Sequence, residues 1–274
     1  MNHIKVGNQI ATLRKKSNLT QEELAEKLGL TAQAVSKWEN GHTLPETALL
    51  PSLSKFLNSS IDSILTPPDI EVDDVISFGS YEWRVLDVDG DKALIITENV
   101  IEKRAFAGVN DVKNKTIWEN SDIRKYLNGR FYNRFSTAEQ AKIRETKLKN
   151  LDNPWYGNRK LADTLDKIFL LSYEELVKYF GDSGDLKNRK GFSEGYMGEG
   201  NPDGIRDKYA EARIAYDFKG QNSFWWLRSP GGPRDHSDND HVTAGSAGDI
   251  IWLCGDNISR KDIGVRPALW LNLT

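Results

Sequence analysis

Gln33 and Lys37 lie four residues apart with Ser36 between them, so a helix through this stretch presents all three on one side. A glutamine amide bonds adenine through paired donor and acceptor, or reaches guanine as a donor. A lysine ammonium reaches guanine acceptors or a phosphate. Thr31 and Ala32, one turn earlier, offer methyl groups suited to a thymine. Lys15, Lys16, Asn40 and His42 flank this helix and are residue types that can hold phosphates and set register without reading sequence. Together the pattern fits a surface for double-stranded DNA, with a plain solvated helix face the alternative.

Such side chains need a tight helical frame. Val6, Ile10 and Leu13 repeat at helical spacing and define a first helix. Thr20 followed by Glu23 makes a capping box for a second, and Gly29 suits the left-handed residue that ends it. Thr31 caps the third helix, whose inner positions are Ala34, Val35 and Trp38. Pro45 suits the first position of a fourth helix that contains Pro51 in its early turns or bends there, and residues 60–65 read as a fifth.

The run LTQEELAEKLGLTAQAVSKWENGHTLPE, followed by LSKFLNSSIDSIL, resembles the lambda-repressor/Cro-like helix-turn-helix family of the xenobiotic-response-element type over residues 1–66. The resemblance implies that the third helix enters the major groove while the second lies across the backbone. It implies that Gln21 bonds phosphate and braces the recognition helix, and that Arg14 and Glu39 form an ion pair between the first and third helices. Ala32 stands where the family carries a larger polar residue. One such module rarely buries enough surface for specific affinity, so a homodimer on a palindromic operator is expected.

Thr66-Pro67-Pro68-Asp69 ends the helical pattern, and residues 67–71 read as a stiff linker. Residues 72–274 then run strands, helices, strands. Early strands are expected at 75–78, 81–86 and 93–96, with Asp89-Gly90 as a hairpin turn. Helices are expected at 121–130, 137–147 and 172–180, and late strands at 223–227, 250–254 and 264–271. The seven glycines of 181–204 mark a long loop. The expected fold class is multidomain: an all-α five-helix helix-turn-helix domain (1–66) followed by an α+β domain (72–274).

In the second domain, Arg234 to His241 is the densest polar cluster, and Asp235, His236, Asp238 and Asp240 are ligand-binding candidates in a loop. Their spacing fits no metal loop, and no metal is expected. Trp225 and Arg228 could floor a pocket, with core packing the alternative. Arg228 and Arg266 sit in apolar runs, and a buried guanidinium needs a partner, so structural ion pairs are expected. No phosphate loop, nucleophile elbow or zinc-protease motif is present, and neither catalysis nor a cofactor is expected. Cys254 is alone, which excludes an intrachain disulfide and a multi-thiolate zinc site. No apolar run approaches the ~20 residues of a membrane span, and a cytoplasmic protein with no membrane partner is expected. The net charge is −3, yet residues 1–66 hold seven Lys/Arg against six Asp/Glu, so the acidity lies in the larger part.

TIWENSDIRKYLNGRFYNRFSTAEQAKI, DKIFLLSYEELVKYF, FWWLRSPGG and GVRPALWL together resemble a domain of unknown function common in Gram-positive gut bacteria. The WLRSPG and VRPAL runs are more loosely similar to the C-type-lectin-like fold of formylglycine-generating enzymes and of diversity-generating-retroelement variable proteins. That likeness implies a Gly/Asn-rich loop displaying ligand-binding side chains. The enzyme branch uses paired cysteines, which a chain with Cys254 alone lacks. The sequence thus reads as a bacterial transcriptional regulator whose C-terminal domain senses a small molecule or protein. The alternative is an interaction protein whose DNA-binding head tethers a display domain.

Overall fold

The computed structural model describes residues 3–66, 70–108, 116–152, 160–182, 184, 204–205, 207–231, 240–244, 248 and 250–273. Two compact units emerge, Met1–Val72 with Asp87–Ala93 and Asn272–Thr274, and Asp73–Leu86 with Leu94–Leu271.

In the first unit, α1 (His3–Lys16), α2 (Gln21–Leu28), α3 (Ala32–Glu39), α4 (Leu50–Leu57) and α5 (Ile61–Leu65) follow one another. Thr20 is extended, its hydroxyl accepts from the Glu23 amide, and the Glu23 carboxylate accepts from the Thr20 amide at 2.7 Å. Gly29 ends α2 at φ 69°. α4 starts at Leu50 and not at Pro45, after a tight turn at Thr47–Leu49. Pro51 thus falls in the first turn, where a helix needs no N–H, and it bends nothing. The core is built from Val6, Ile10, Leu24, Val35, Leu53 and Ile64, each inaccessible or nearly so. At Gly7 a Cβ would lie 2.3 Å from the Trp38 carbonyl oxygen and 2.8 Å from that of Glu39. The glycine lets α1 press against the C-terminal turn of α3.

The second unit is organised by two sheets. One has the order β1-β2-β3-β15-β5, with β1 Val75–Phe78, β2 Tyr81–Asp89, β3 Lys92–Thr97, β15 Ala268–Asn272 and β5 Ile143–Arg144. The tip of its β2–β3 hairpin (residues 87–93) and the end of β15 count with the first unit. The other sheet has the order β4-β14-β11-β12-β13-β8. Its strands are β4 Glu102–Lys103, β14 Gly264–Val265, β11 Trp225–Pro230, β12 Asp240–Ala244, β13 Ile250–Asn257 and β8 Gly204–Ile205. Two short hairpins, β6 (Thr146–Leu148) with β7 (Thr164–Asp166) and β9 (Ala215–Tyr216) with β10 (Asn222–Ser223), complete the described strands. Helices α6 (Asp122–Tyr126), α7 (Thr137–Lys142), α8 (Tyr173–Phe180) and α9 (Ala210–Arg213) lie between strands in sequence.

Several expectations change. The strand expected over 264–271 is two strands in different sheets, parted at Arg266-Pro267. Pro267 has no N–H for a ladder, and its carbonyl instead accepts from Thr97. The helix expected over 137–147 stops at Lys142, because Ile143 pairs with Leu271 in the five-stranded sheet. The helix expected over 121–130 ends at Tyr126 and continues as a wider turn, Leu127–Phe131. Gly90 turns the β2–β3 hairpin at φ 64°. Of the expected linker, residues 67–69 lie outside the described residues, as does most of 181–204.

Candidate nucleic-acid interface

Glu39 anchors the geometry of α3. Its carboxylate accepts from Arg14 of α1 twice, Nε to Oε1 at 2.5 Å and Nη2 to Oε2 at 3.0 Å. Gln21 of α2 donates Nε2–H to the same Oε2 at 2.7 Å, and Arg14 Nη1 donates to the Leu19 carbonyl at 2.6 Å. The Arg14 and Glu39 side chains are only 10% and 7% exposed. The hydrogen bond that Arg14 donates to Glu39 outweighs burial and raises the Arg14 pKa, so the guanidinium stays charged. One carboxylate therefore fastens all three helices of the motif. Gln21 Nε2 carries a second amide hydrogen.

With that side held, Val35 and Trp38 are buried while Thr31, Gln33 and Lys37 are exposed on α3. The Gln33 and Lys37 side chains make no hydrogen bond or ion pair with another described residue, while the Lys37 carbonyl accepts from the His42 amide. Thr31 caps the helix by accepting from the Ala34 amide at 3.3 Å. Ala32 and Ser36 are half-buried beside them. Asn40 is exposed, but its amide turns back to the Ser36 carbonyl at 2.8 Å. Lys15 and His42 are exposed at the ends of α1 and α3. Lys16 is engaged within the first unit: its ammonium bonds the Val88 carbonyl and lies 3.3 Å from Asp89 and 3.7 Å from Asp87. A charge held between two carboxylates is not the open phosphate contact that sequence alone suggests.

Of the C-terminal candidates, Trp225, Arg228 and Asp240 fall among the described residues. Asp235, His236 and Asp238 lie outside the described residues. Asp240 is not in a loop, as expected, but opens β12, with its backbone opposite Asn257. Trp225 is buried, and its indole N–H donates to the Arg213 carbonyl at 3.0 Å. Arg228 is buried against Glu175, with Nη2 to Oε1 at 2.9 Å and Nη1 bonding both Oε2 and the Leu170 carbonyl. That guanidinium holds α8 to β11 and is no ligand donor. Arg266 differs from expectation in the other direction: among the described residues it has no ion pair, its Nε donates to the Thr97 carbonyl at 2.7 Å, and Nη1 has no partner. Sequence reasoning missed Gly7, whose signal is a glycine beside Val6 on the buried side of a helix. Among the described residues no three His, Cys, Asp or Glu side chains could hold a metal, and no helix is long and apolar enough to cross a membrane.

Known proteins resemble both parts. Residues 10–64 match the helix-turn-helix family, and residues 90–273 match a family described as a domain of unknown function (DUF6273). The chain is 40% identical over 62 residues to the HTH-type transcriptional activator BcrR of Enterococcus faecalis, a match covering 23% of this chain and 30% of that protein. It is 36% identical over 64 residues to the uncharacterized HTH-type transcriptional regulator y4dJ of Sinorhizobium fredii (strain NBRC 101917 / NGR234), covering 23% of this chain and 83% of y4dJ. Among solved structures, the P22 c2 repressor in complex with a synthetic operator is 36% identical, the match covering 22% of this chain and 92% of the repressor chain, with a TM-score of 0.22. The chain thus spans under a third of BcrR and most of y4dJ. With more than half of its length matched at 90–273, the chain belongs to the DUF6273 family and carries at its N-terminus a helix-turn-helix domain of the DNA-binding transcriptional regulators.

Proposed function

We propose that this protein is a one-component bacterial transcriptional regulator, which binds an operator through α3 and adjusts that binding when residues 73–271 take up a ligand or partner. One observation carries the reading: α3 is fastened on one side to α1 and α2 through Glu39, while Gln33 and Lys37 stand exposed and unengaged on the other. An orienting brace behind and bare hydrogen-bonding groups in front are what major-groove readout needs. Gln33 and Lys37 read bases, Thr31 and Ala32 contact a thymine methyl, and Gln21, Lys15, Asn40 and His42 hold phosphates. The regulator names of BcrR and y4dJ support the DNA-facing half. The protein acts in the cytoplasm as a homodimer on a palindrome, and its C-terminal domain recognises and does not catalyse. The loose C-type-lectin likeness of the WLRSPG and VRPAL runs fits such a role.

The test is fluorescence anisotropy of the full chain on a labelled duplex from the region upstream of its own gene. The scrambled duplex is the control, and both are titrated across salt. Tighter binding to the native duplex, on a steep salt slope, is expected. Equal affinity for the two duplexes overturns the reading.

A further inference from the structure

Four buried arginines invite comparison. Arg14 faces Glu39, Arg213 faces Asp207 and Arg228 faces Glu175, each through two hydrogen bonds to a carboxylate. Arg266 is 2% exposed and faces none; its Nη1 has no partner. Glu98 is the acidic residue whose charge reaches it, but both Glu98 oxygens are taken by Arg84, with Nε to Oε2 at 2.8 Å. Burial brings the Arg266 pKa down to about 10, with Glu98 acting against it, which still leaves a full positive charge at neutral pH. An uncompensated buried guanidinium is costly, and folds retain such groups where something else supplies the counter-charge.

Arg266 also lines a cavity of about 790 Å³ that lies wholly within the second unit. The volume is that of a small-molecule site. Tyr179, Phe180 and Tyr216 contribute aromatic surface to a wall that is otherwise largely polar. Behind the guanidinium, the Phe180 and Trp225 ring centres lie 5.4 and 5.1 Å away and fix its plane. Asp73, Glu98 and Glu211 also line the space. Arg84 lines it too, held by Glu98, so three carboxylates face two guanidinium groups, and a singly charged anion meets less repulsion there than a phosphate, which brings nearly two negative charges.

We infer that this cavity binds a small monocarboxylate with an apolar body, its carboxylate on Arg266 and its body against Phe180, Tyr179 and Tyr216. The inference rests on the sensing reading of this domain and names its ligand class.

Phenylacetate serves as the probe, with phenylacetamide and inorganic phosphate as controls, each titrated onto the full chain by thermal shift and calorimetry. Phenylacetate raises the melting temperature with concentration. The uncharged amide and phosphate do not. Arg266→Met removes the effect, with at least about tenfold weaker binding. Because that variant alters a buried charge, Ala212→Trp provides a second route: Ala212 is an exposed residue of the cavity lining, and the indole fills the space without touching the core. It abolishes binding while the protein stays folded. No response to phenylacetate, an equal response to phenylacetamide or phosphate, or undiminished binding in both variants overturns the inference. Operator affinity is measured separately. Phenylacetate binding without change in operator affinity upholds the site and sinks the sensing reading, whereas operator binding with no phenylacetate response does the reverse.

Discussion

Two regions of this chain treat a buried arginine in opposite ways. In the helix-turn-helix, Arg14 is well partnered: Glu39 and the Leu19 carbonyl take three of its N–H hydrogens, and Gln21 closes the cluster. The exposed side chains of Gln33 and Lys37 on α3 are unengaged. In the sheet domain, Arg266 is enclosed and short of a partner beside a cavity. The first arrangement suits a surface that meets a large rigid partner, because the interior must fix the angle at which exposed side chains are offered. The second suits a small partner that enters and completes the interior.

The largest effect comes from breaking the well-partnered region. Glu39→Ala leaves Arg14 nearly buried with no counter-charge, and loss of one partner from such a pair costs on the order of 3 kcal/mol. Urea denaturation should show that loss, and operator affinity should fall with it, since α3 loses its brace. Replacing both partners, Arg14→Met with Glu39→Leu, should recover most of the stability and little of the DNA affinity. A double variant that binds as well as the parent would show that the network is not an orienting device. Next is Gly7→Ala. Its methyl would collide with the Trp38 and Glu39 carbonyls, which are backbone and can yield only if α1 and α3 separate. Overpacking of this kind costs roughly 1–3 kcal/mol, read as a lower melting temperature.

The same contrast explains what could be read ahead of the structure. The helix-turn-helix is written locally: Thr20 with Glu23, Gly29 and Thr31 act within a turn of their own position, so its helices follow from short-range rules. Even there, Thr47–Leu49 tightens into a separate turn and delays α4. In the sheet domain the deciding events join distant residues. Ile143 is drawn from its helix by Leu271, and one apolar run is divided between two sheets at Pro267. The same holds for the sites. The exposed face of α3 was legible from spacing alone, whereas the state of Arg266 depends on Thr97, Glu98 and Arg84, which local pattern cannot connect to it.

At the reading surface itself, Gln33→Ala and Lys37→Ala should each cost about 1–3 kcal/mol of operator affinity, measured by anisotropy. Both residues are exposed and unengaged, so folding stability should change by no more than about 0.5 kcal/mol. Gln33→Ala should relax base preference at one position of the operator. Lys37→Ala should do likewise if it reads guanine, or lower the salt slope by about one if it holds phosphate. Lys16→Ala gives the internal contrast. Its ammonium is already held by Val88, Asp87 and Asp89, so operator affinity should fall less than for either α3 variant. A larger loss would mean that this lysine leaves its carboxylates for the DNA.

The smallest effect lies in the sheet domain and depends on pH. Asp217, in the β9–β10 turn, accepts from Lys103 Nζ at 2.9 Å and from the Gln221 and Lys219 amides. The Lys103 hydrogen bond leads in lowering its pKa from 3.8 to about 2, with the backbone amides adding to it. The unfolded chain therefore takes up a proton at this site more readily than the folded one. The stabilisation is complete above pH ~4 and fades as pH falls towards about 2, where the folded carboxylate also protonates. Asp217→Asn removes the titrating group, so its stability should decline less steeply than the parent's across that window. Melting curves at half-unit steps of pH measure the difference, and parallel curves would show that Asp217 gains nothing from Lys103. Arg266→Met should leave this acid limb unchanged. Its guanidinium stays protonated throughout that range, so the Asp217 turn and the cavity arginine are separable by pH alone.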